Sequence, residues 1–116
     1  MPSKSFSPYD PQNVFAKILR GELPCKKIKE TPHSLAFYDL YPQASVHALL
    51  IPKGLYGGSQ EFFQKSSGEE LEDFCRLLGE LPDLLGISGA YILKNHEGKQ
   101  AGQEIPHFHM HLLSVT

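Results

Sequence analysis

From Val14 the apolar positions Val14, Phe15, Ile18 and Leu19 fall on one helical face, and Gly21 with Pro24 stops them, so the pattern predicts a helix of about two turns. Three stretches with strand character follow, residues 25–30, 35–39 and 46–53. Thr31-Pro32 and Tyr41-Pro42-Gln43 separate them, turn chemistry that favours antiparallel neighbours over a helical crossover. Residues 54–67 carry three Gly and three Ser, and Gly57-Gly58 predicts a loop there. Ser67-Gly68-Glu69-Glu70 then reads as a capping box, and Leu71, Phe74, Cys75, Leu78, Leu81 and Leu85 form an apolar stripe at helical spacing. Pro82 is expected to end or kink that helix, because a proline inside it removes a backbone donor. Two more strands, residues 89–95 and 107–115, bracket a loop over residues 96–106. The sum is an α+β fold: five antiparallel strands and two helices, the longer covering one sheet face.

A chain of 116 residues has room for one core. Residues 1–11, with three Pro and three Ser, are expected to be a flexible leader, leaving a single domain over residues 12–116. A formal charge of -2 provides no basic field for a nucleic acid polymer. The aliphatic run Ala48-Leu49-Leu50-Ile51 is far short of a membrane span, and no apolar secretory signal precedes the domain, so a cytoplasmic chain is expected. Cys25 and Cys75 lack the spacing of a zinc or redox pair, and both are expected to pack as small buried hydrophobes.

The chemistry concentrates in His107-Phe108-His109-Met110-His111. Period-two alternation puts the three imidazoles on one side of a strand and Phe108, Met110 and Leu112 on the core side. Two chemistries suit such a face. Alternate histidines can hold Zn²⁺, or one neutral imidazole can attack an electrophilic phosphorus while its neighbours stabilise charge on the phosphate oxygens. The second requires the attacking ring's other nitrogen to be held by an acceptor such as a backbone carbonyl, and the flanked central residue, His109, suits it best. The preceding Gly98-Lys99-Gln100-Ala101-Gly102-Gln103 favours phosphate chemistry, since a glycine-bearing loop can form an anion-binding nest. His47 falls on the same face as Leu49 and Ile51 of its strand.

The segment His107-Phe108-His109-Met110-His111-Leu112-Leu113 resembles the signature of the histidine triad (HIT) superfamily, and the similarity extends from Asn13 to Leu113. The resemblance implies a covalent nucleotidyl intermediate on His109, with His107 and His111 flanking it and His47 supporting them. It also implies that Asp39 holds the ribose hydroxyls and that Phe15, Ile18, Phe37 and Leu40 pack a purine. Asn95, Gly102 and Gln103 match phosphate contacts. The implied activity is hydrolysis or transfer at the α-phosphate of purine nucleoside monophosphate conjugates such as an adenosine phosphoramidate. A dinucleoside polyphosphate hydrolase and a non-catalytic nucleotide-binding module are the alternatives. No cofactor is implied, and no metal site, since Asn13-Val14-Phe15-Ala16 stands where some relatives carry a Cys-x-x-Cys. The expected partner is a second copy, joined through a ten-stranded sheet. Two positions depart from the family pattern: Asn95-His96-Glu97-Gly98 is one residue longer than the usual loop opening, and Glu104 stands where many members have Ser or Thr.

Overall fold

A computed structural model describes residues 6–116. The elements in chain order are α1 (Val14–Leu19), β1 (Lys27–Glu30), β2 (Ser34–Tyr38), β3 (His47–Pro52), α2 (Ser59–Lys65), α3 (Gly68–Leu85), β4 (Tyr91–Lys94), a short 3₁₀ turn (Lys99–Ala101) and β5 (Met110–Ser114). The strands form one antiparallel sheet in the order β1-β2-β3-β5-β4. All five strands and both expected helices are present, with every strand end except Glu30 shifted by one to three residues.

The sheet has two apolar faces. On one, Ala36, Ala48, Leu50, Phe108 and Leu112 meet Phe62 of α2 and Phe74, Leu77 and Leu81 of α3. On the other, Phe15 of α1 packs on Leu35, Phe37, Leu49 and Ile51. Alternation along β2 and β3 therefore serves two cores at once, and every residue of β3 is buried.

Four expectations change. Residues 54–67 are not all loop, because α2 forms within them. Its single fully buried side chain, Phe62, and the Glu97 carboxylate at its first turn hold a helix whose glycine-rich approach conceals it in the sequence. Gly58, at its N-cap, lies directly against that carboxylate. Pro82 does not end α3, which runs to Leu85. It stands in the last turn, where Gly86 at φ 72° closes a Schellman motif: its N–H donates to Asp83 and the Ile87 N–H donates to Pro82. Cys75 is exposed and Cys25 only half-buried, so neither is a core residue; Leu77, one position off the predicted stripe, takes the inner place. Finally β5 begins at Met110, not at residue 107. Pro106 precedes the segment, the His107 N–H turns back to Ile105, and the Phe108 N–H donates to Tyr56, outside any ladder.

Candidate functional site

The alternation predicted for the triad survives this late start. Phe108 is fully buried among Phe62, Phe63 and Phe74, with ring centroids 5.1, 5.6 and 5.2 Å away. That aromatic anchor fixes the backbone on either side of it, and the histidines face the second core. There a cleft of about 890 Å³ opens between α1, β2, β3 and the loop before β5. His47, His96, His109 and His111 line its polar end with Asp39, Lys94 and Glu104, while Phe15, Ile18, Phe37 and Leu40 line its apolar end.

The hydrogen bonds determine which ring nitrogen carries hydrogen. His109 Nδ1 lies 2.7 Å from the His107 carbonyl oxygen, which can only accept, so the hydrogen sits on Nδ1 and the lone pair on Nε2. The ring is held edge-on between Phe15 and His111, at centroid distances of 4.9 and 5.0 Å. The Gln43 N–H donates to His47 Nδ1 at 3.1 Å, so His47 Nε2 carries hydrogen and donates to His111 Nδ1 at 2.9 Å. That leaves His111 with Nε2–H as a donor. One relay thus runs from the backbone of Gln43 to the third histidine.

His107 does a different task from the one the resemblance implies. It is fully buried and does not line the cleft. Its Nε2–H donates to the Pro52 carbonyl at 2.9 Å, and its Nδ1 accepts from the Tyr9 hydroxyl at 2.6 Å. Tyr9 in turn accepts from Asn13 Nδ2 at 2.8 Å, and Asn13 caps α1. His107 therefore locks the backbone carbonyl that orients His109. Tyr9 and Asn13 escape sequence reasoning because the contact joins residues 98 positions apart. Of the expected leader, residues 1–5 lie outside the described residues, and Tyr9 is half-buried.

The expected substrate contacts divide in the same way. Asp39 lines the cleft, its Oδ1 accepting from the Tyr41 N–H at 2.8 Å and its Oδ2 3.4 Å from His47 Nε2. Leu40 lies at the cleft rim, 81% exposed. Asn95 is not among the lining residues; its amide donates to the His109 carbonyl at 2.9 Å, so it braces the backbone at His109. Gln103 braces as well, donating to Gly57 and Ile105 and accepting from the Gly98 N–H. Gly102 lines the cleft, but its N–H donates to Lys99, and those of Ala101 and Gln103 donate to Gly98. Within the nest expected over residues 98–103, the N–H groups of Gly98, Ala101, Gly102 and Gln103 are thus engaged inside the loop itself. His96, Lys94 and Gln43 are site residues that sequence reasoning missed; for His96 the extra residue in its loop was the available signal. Asp39, His47 and His111 place three potential ligand atoms within 4.8 Å, but the His47 and His111 nitrogens are bonded to each other, which makes the group a relay.

Burial sets the electrostatics. It pushes His107 and His111 down to about 4, with neighbouring imidazoles adding to it, and holds His47 and His109 below their ordinary value as well. All four rings are neutral near pH 7, as an attacking imidazole requires. The unfolded chain binds these protons more readily than the native one between pH 6.5 and about 4, so stability is full above that window and falls as the pH drops through it. His107 alone contributes on the order of 3 kcal/mol to that loss. Urea midpoints measured from pH 7 to 4.5 are expected to decline steadily. A flat profile would contradict the neutral, buried imidazoles.

Known proteins place this arrangement. The HIT domain profile matches residues 20–116. A HIT-like protein of Azospirillum brasilense is 47% identical over 108 residues, covering 91% of this chain and 88% of its own. An adenosine 5′-monophosphoramidase of Schizosaccharomyces pombe is 35% identical over 100 residues, covering 86% of this chain and 71% of its own. Among solved structures, a HIT family hydrolase of Clostridium thermocellum superposes with a TM-score of 0.82 at 34% identity, covering 90% of this chain and 91% of that one. With its histidine-lined cleft and a profile match spanning most of its length, the chain belongs to the HIT domain family.

Proposed function

We propose that this protein cleaves purine nucleoside monophosphate conjugates at the α-phosphate, through a nucleotide carried covalently on His109. The observation that carries the reading is the 2.7 Å bond from His109 Nδ1 to the His107 carbonyl, which leaves the Nε2 lone pair of a cleft-lining ring for attack. A phosphoramidate substrate is favoured by the S. pombe relative and by one in Saccharomyces cerevisiae at 37% identity, both adenosine 5′-monophosphoramidases.

The purine lies against Phe15, Ile18, Phe37 and Leu40, and Asp39 accepts from the ribose hydroxyls. The His111 Nε2–H donates to a phosphate oxygen. His109 Nε2 bonds to phosphorus as the bond to the leaving nitrogen breaks, and that nitrogen departs with the electron pair and takes up a proton. The ring becomes positive as it attacks. The His107 carbonyl, already aligned with Nδ1–H, stabilises that charge without reorganising. Water then releases the nucleotide and restores the imidazole.

Incubation with adenosine 5′-phosphoramidate is expected to release adenosine monophosphate. If the conjugate stays intact while adenosine monophosphate still raises the melting temperature, the cleft is a binding module and the catalytic reading fails.

The same reading includes a homodimer. β4 is an edge strand, and Tyr91, Ile92 and Leu93 are 41, 49 and 43% exposed, on both of its faces. An apolar edge of this kind favours pairing with a second copy. Sedimentation is expected to give twice the 13.0 kDa chain mass, and a monomer at micromolar concentration would rule the pairing out.

A further inference from the structure

Five imidazoles, the triad with His47 and His96, stand together, and their bonding leaves them with different capacities. His47 and His107 have both ring nitrogens engaged within the protein. His111 presents a hydrogen at Nε2, so it donates and does not accept. The lone pair of His109 is occupied once a nucleotide is attached. His96 differs from all of them. Its Nδ1 lies 2.6 Å from the Ala101 carbonyl oxygen, an acceptor only, so the hydrogen sits there and Nε2 bears a lone pair with no partner among the described residues. The ring lines the cleft and stands edge-on to His111, 6.0 Å between centroids at an interplanar angle of 83°.

The loop holds this ring from both sides. Next in sequence, the Glu97 carboxylate accepts from the Ser59 hydroxyl at 3.0 Å and the Gln60 N–H at 2.9 Å, docking the loop on the start of α2. On the other side the ring rests against Gly102, at φ 97°, where a Cβ would come 3.3 Å from His96 Nδ1. The docked Glu97, the Ala101 carbonyl and the close approach of Gly102 thus fix this imidazole in the cleft wall.

We propose that His96 is the catalytic base of the second half-reaction, the attack of water on the nucleotidyl-histidine. This rests on the covalent reading given above. The water oxygen bonds to phosphorus, the bond from phosphorus to His109 Nε2 breaks with its electron pair returning to that nitrogen, and the proton of the water passes to His96 Nε2. The proton then leaves through the open cleft. Imidazole is the side chain most often used for such a transfer near neutral pH.

The p-nitrophenyl ester of adenosine 5′-monophosphate separates the two steps, because nitrophenolate needs no proton to depart. His96→Asn keeps an amide N–H where Nδ1–H meets the Ala101 carbonyl and removes the lone pair. With the full-length chain, the variant is expected to retain the initial burst of nitrophenolate and to slow the steady phase by about 100-fold or more. Mass spectrometry after alkaline quenching should then find the nucleotidyl adduct accumulated. An adduct that decays at the wild-type rate overturns the assignment, and so does a variant slowed equally in both phases, which marks a merely structural role. Slow decay in Glu104→Gln but not in His96→Asn moves the base to Glu104. Release of nitrophenolate with no adduct in either wild type or His96→Asn defeats the covalent reading itself.

Discussion

His109→Asn is expected to lower turnover of an adenosine phosphoramidate by about 10⁴-fold or more while mononucleotide affinity stays within a few-fold. The asymmetry follows from the geometry. The asparagine amide can still donate to the His107 carbonyl, so the local backbone keeps its bond, but no lone pair then faces phosphorus. The apolar wall of Phe15, Ile18 and Phe37, the Asp39 carboxylate and the His111 donor are untouched. A kcat collapse with an unchanged dissociation constant for adenosine monophosphate, measured by calorimetry, is the expected pair of results. Loss of binding in proportion to activity would instead make His109 a binding residue, and near-full activity would remove it from the mechanism.

Phe108→Ala is expected to destabilise the protein by about 3–5 kcal/mol, the range for truncating a fully buried aromatic ring. For a chain of this size that corresponds to roughly 10–25 °C in melting temperature. Phe108 sits among Phe62, Phe63 and Phe74, which come from α2 and α3, so the cavity opens where both helices meet the sheet. It is also the residue between His107 and His109, and its loss is expected to loosen the carbonyl that orients the His109 ring. Leu40→Ala, at a side chain 81% exposed, is the contrast: its effect on stability should stay within about 0.5 kcal/mol. Thermal unfolding of the two variants distinguishes a core aromatic from a cleft-rim aliphatic, and equal shifts would contradict the packing described.

The sheet was readable because alternation is a local signal. Along β2 and β3 the buried residues divide between two cores as period two requires, and the triad keeps its alternation although its first two histidines precede β5. α2 was not readable, since one buried phenylalanine in a Gly- and Ser-rich stretch is too little periodicity to distinguish from a loop. Cys75 faces outward and Leu77 inward because a stripe on an 18-residue helix is fixed only to within a position or two.

In the site, residue types were legible and their tasks were not. Spacing pointed to His109 and its need for a carbonyl acceptor. That the carbonyl belongs to His107, itself locked by Tyr9, depends on a long-range contact that no local pattern encodes. Asn95 and Gln103 illustrate the same limit. Both stand beside the cleft chemistry, yet their amides brace backbone, and only the three-dimensional partners reveal it.

In the proposed reaction the Nε2 atom of His109 takes the nucleotide. Peptide mapping of the protein quenched during turnover of a slow adenosine phosphoramidate tests it most directly. One added nucleotidyl mass is expected on the peptide containing residues 107–111, fragmenting to His109 and absent from His109→Asn. A nucleotide on any other residue would contradict it.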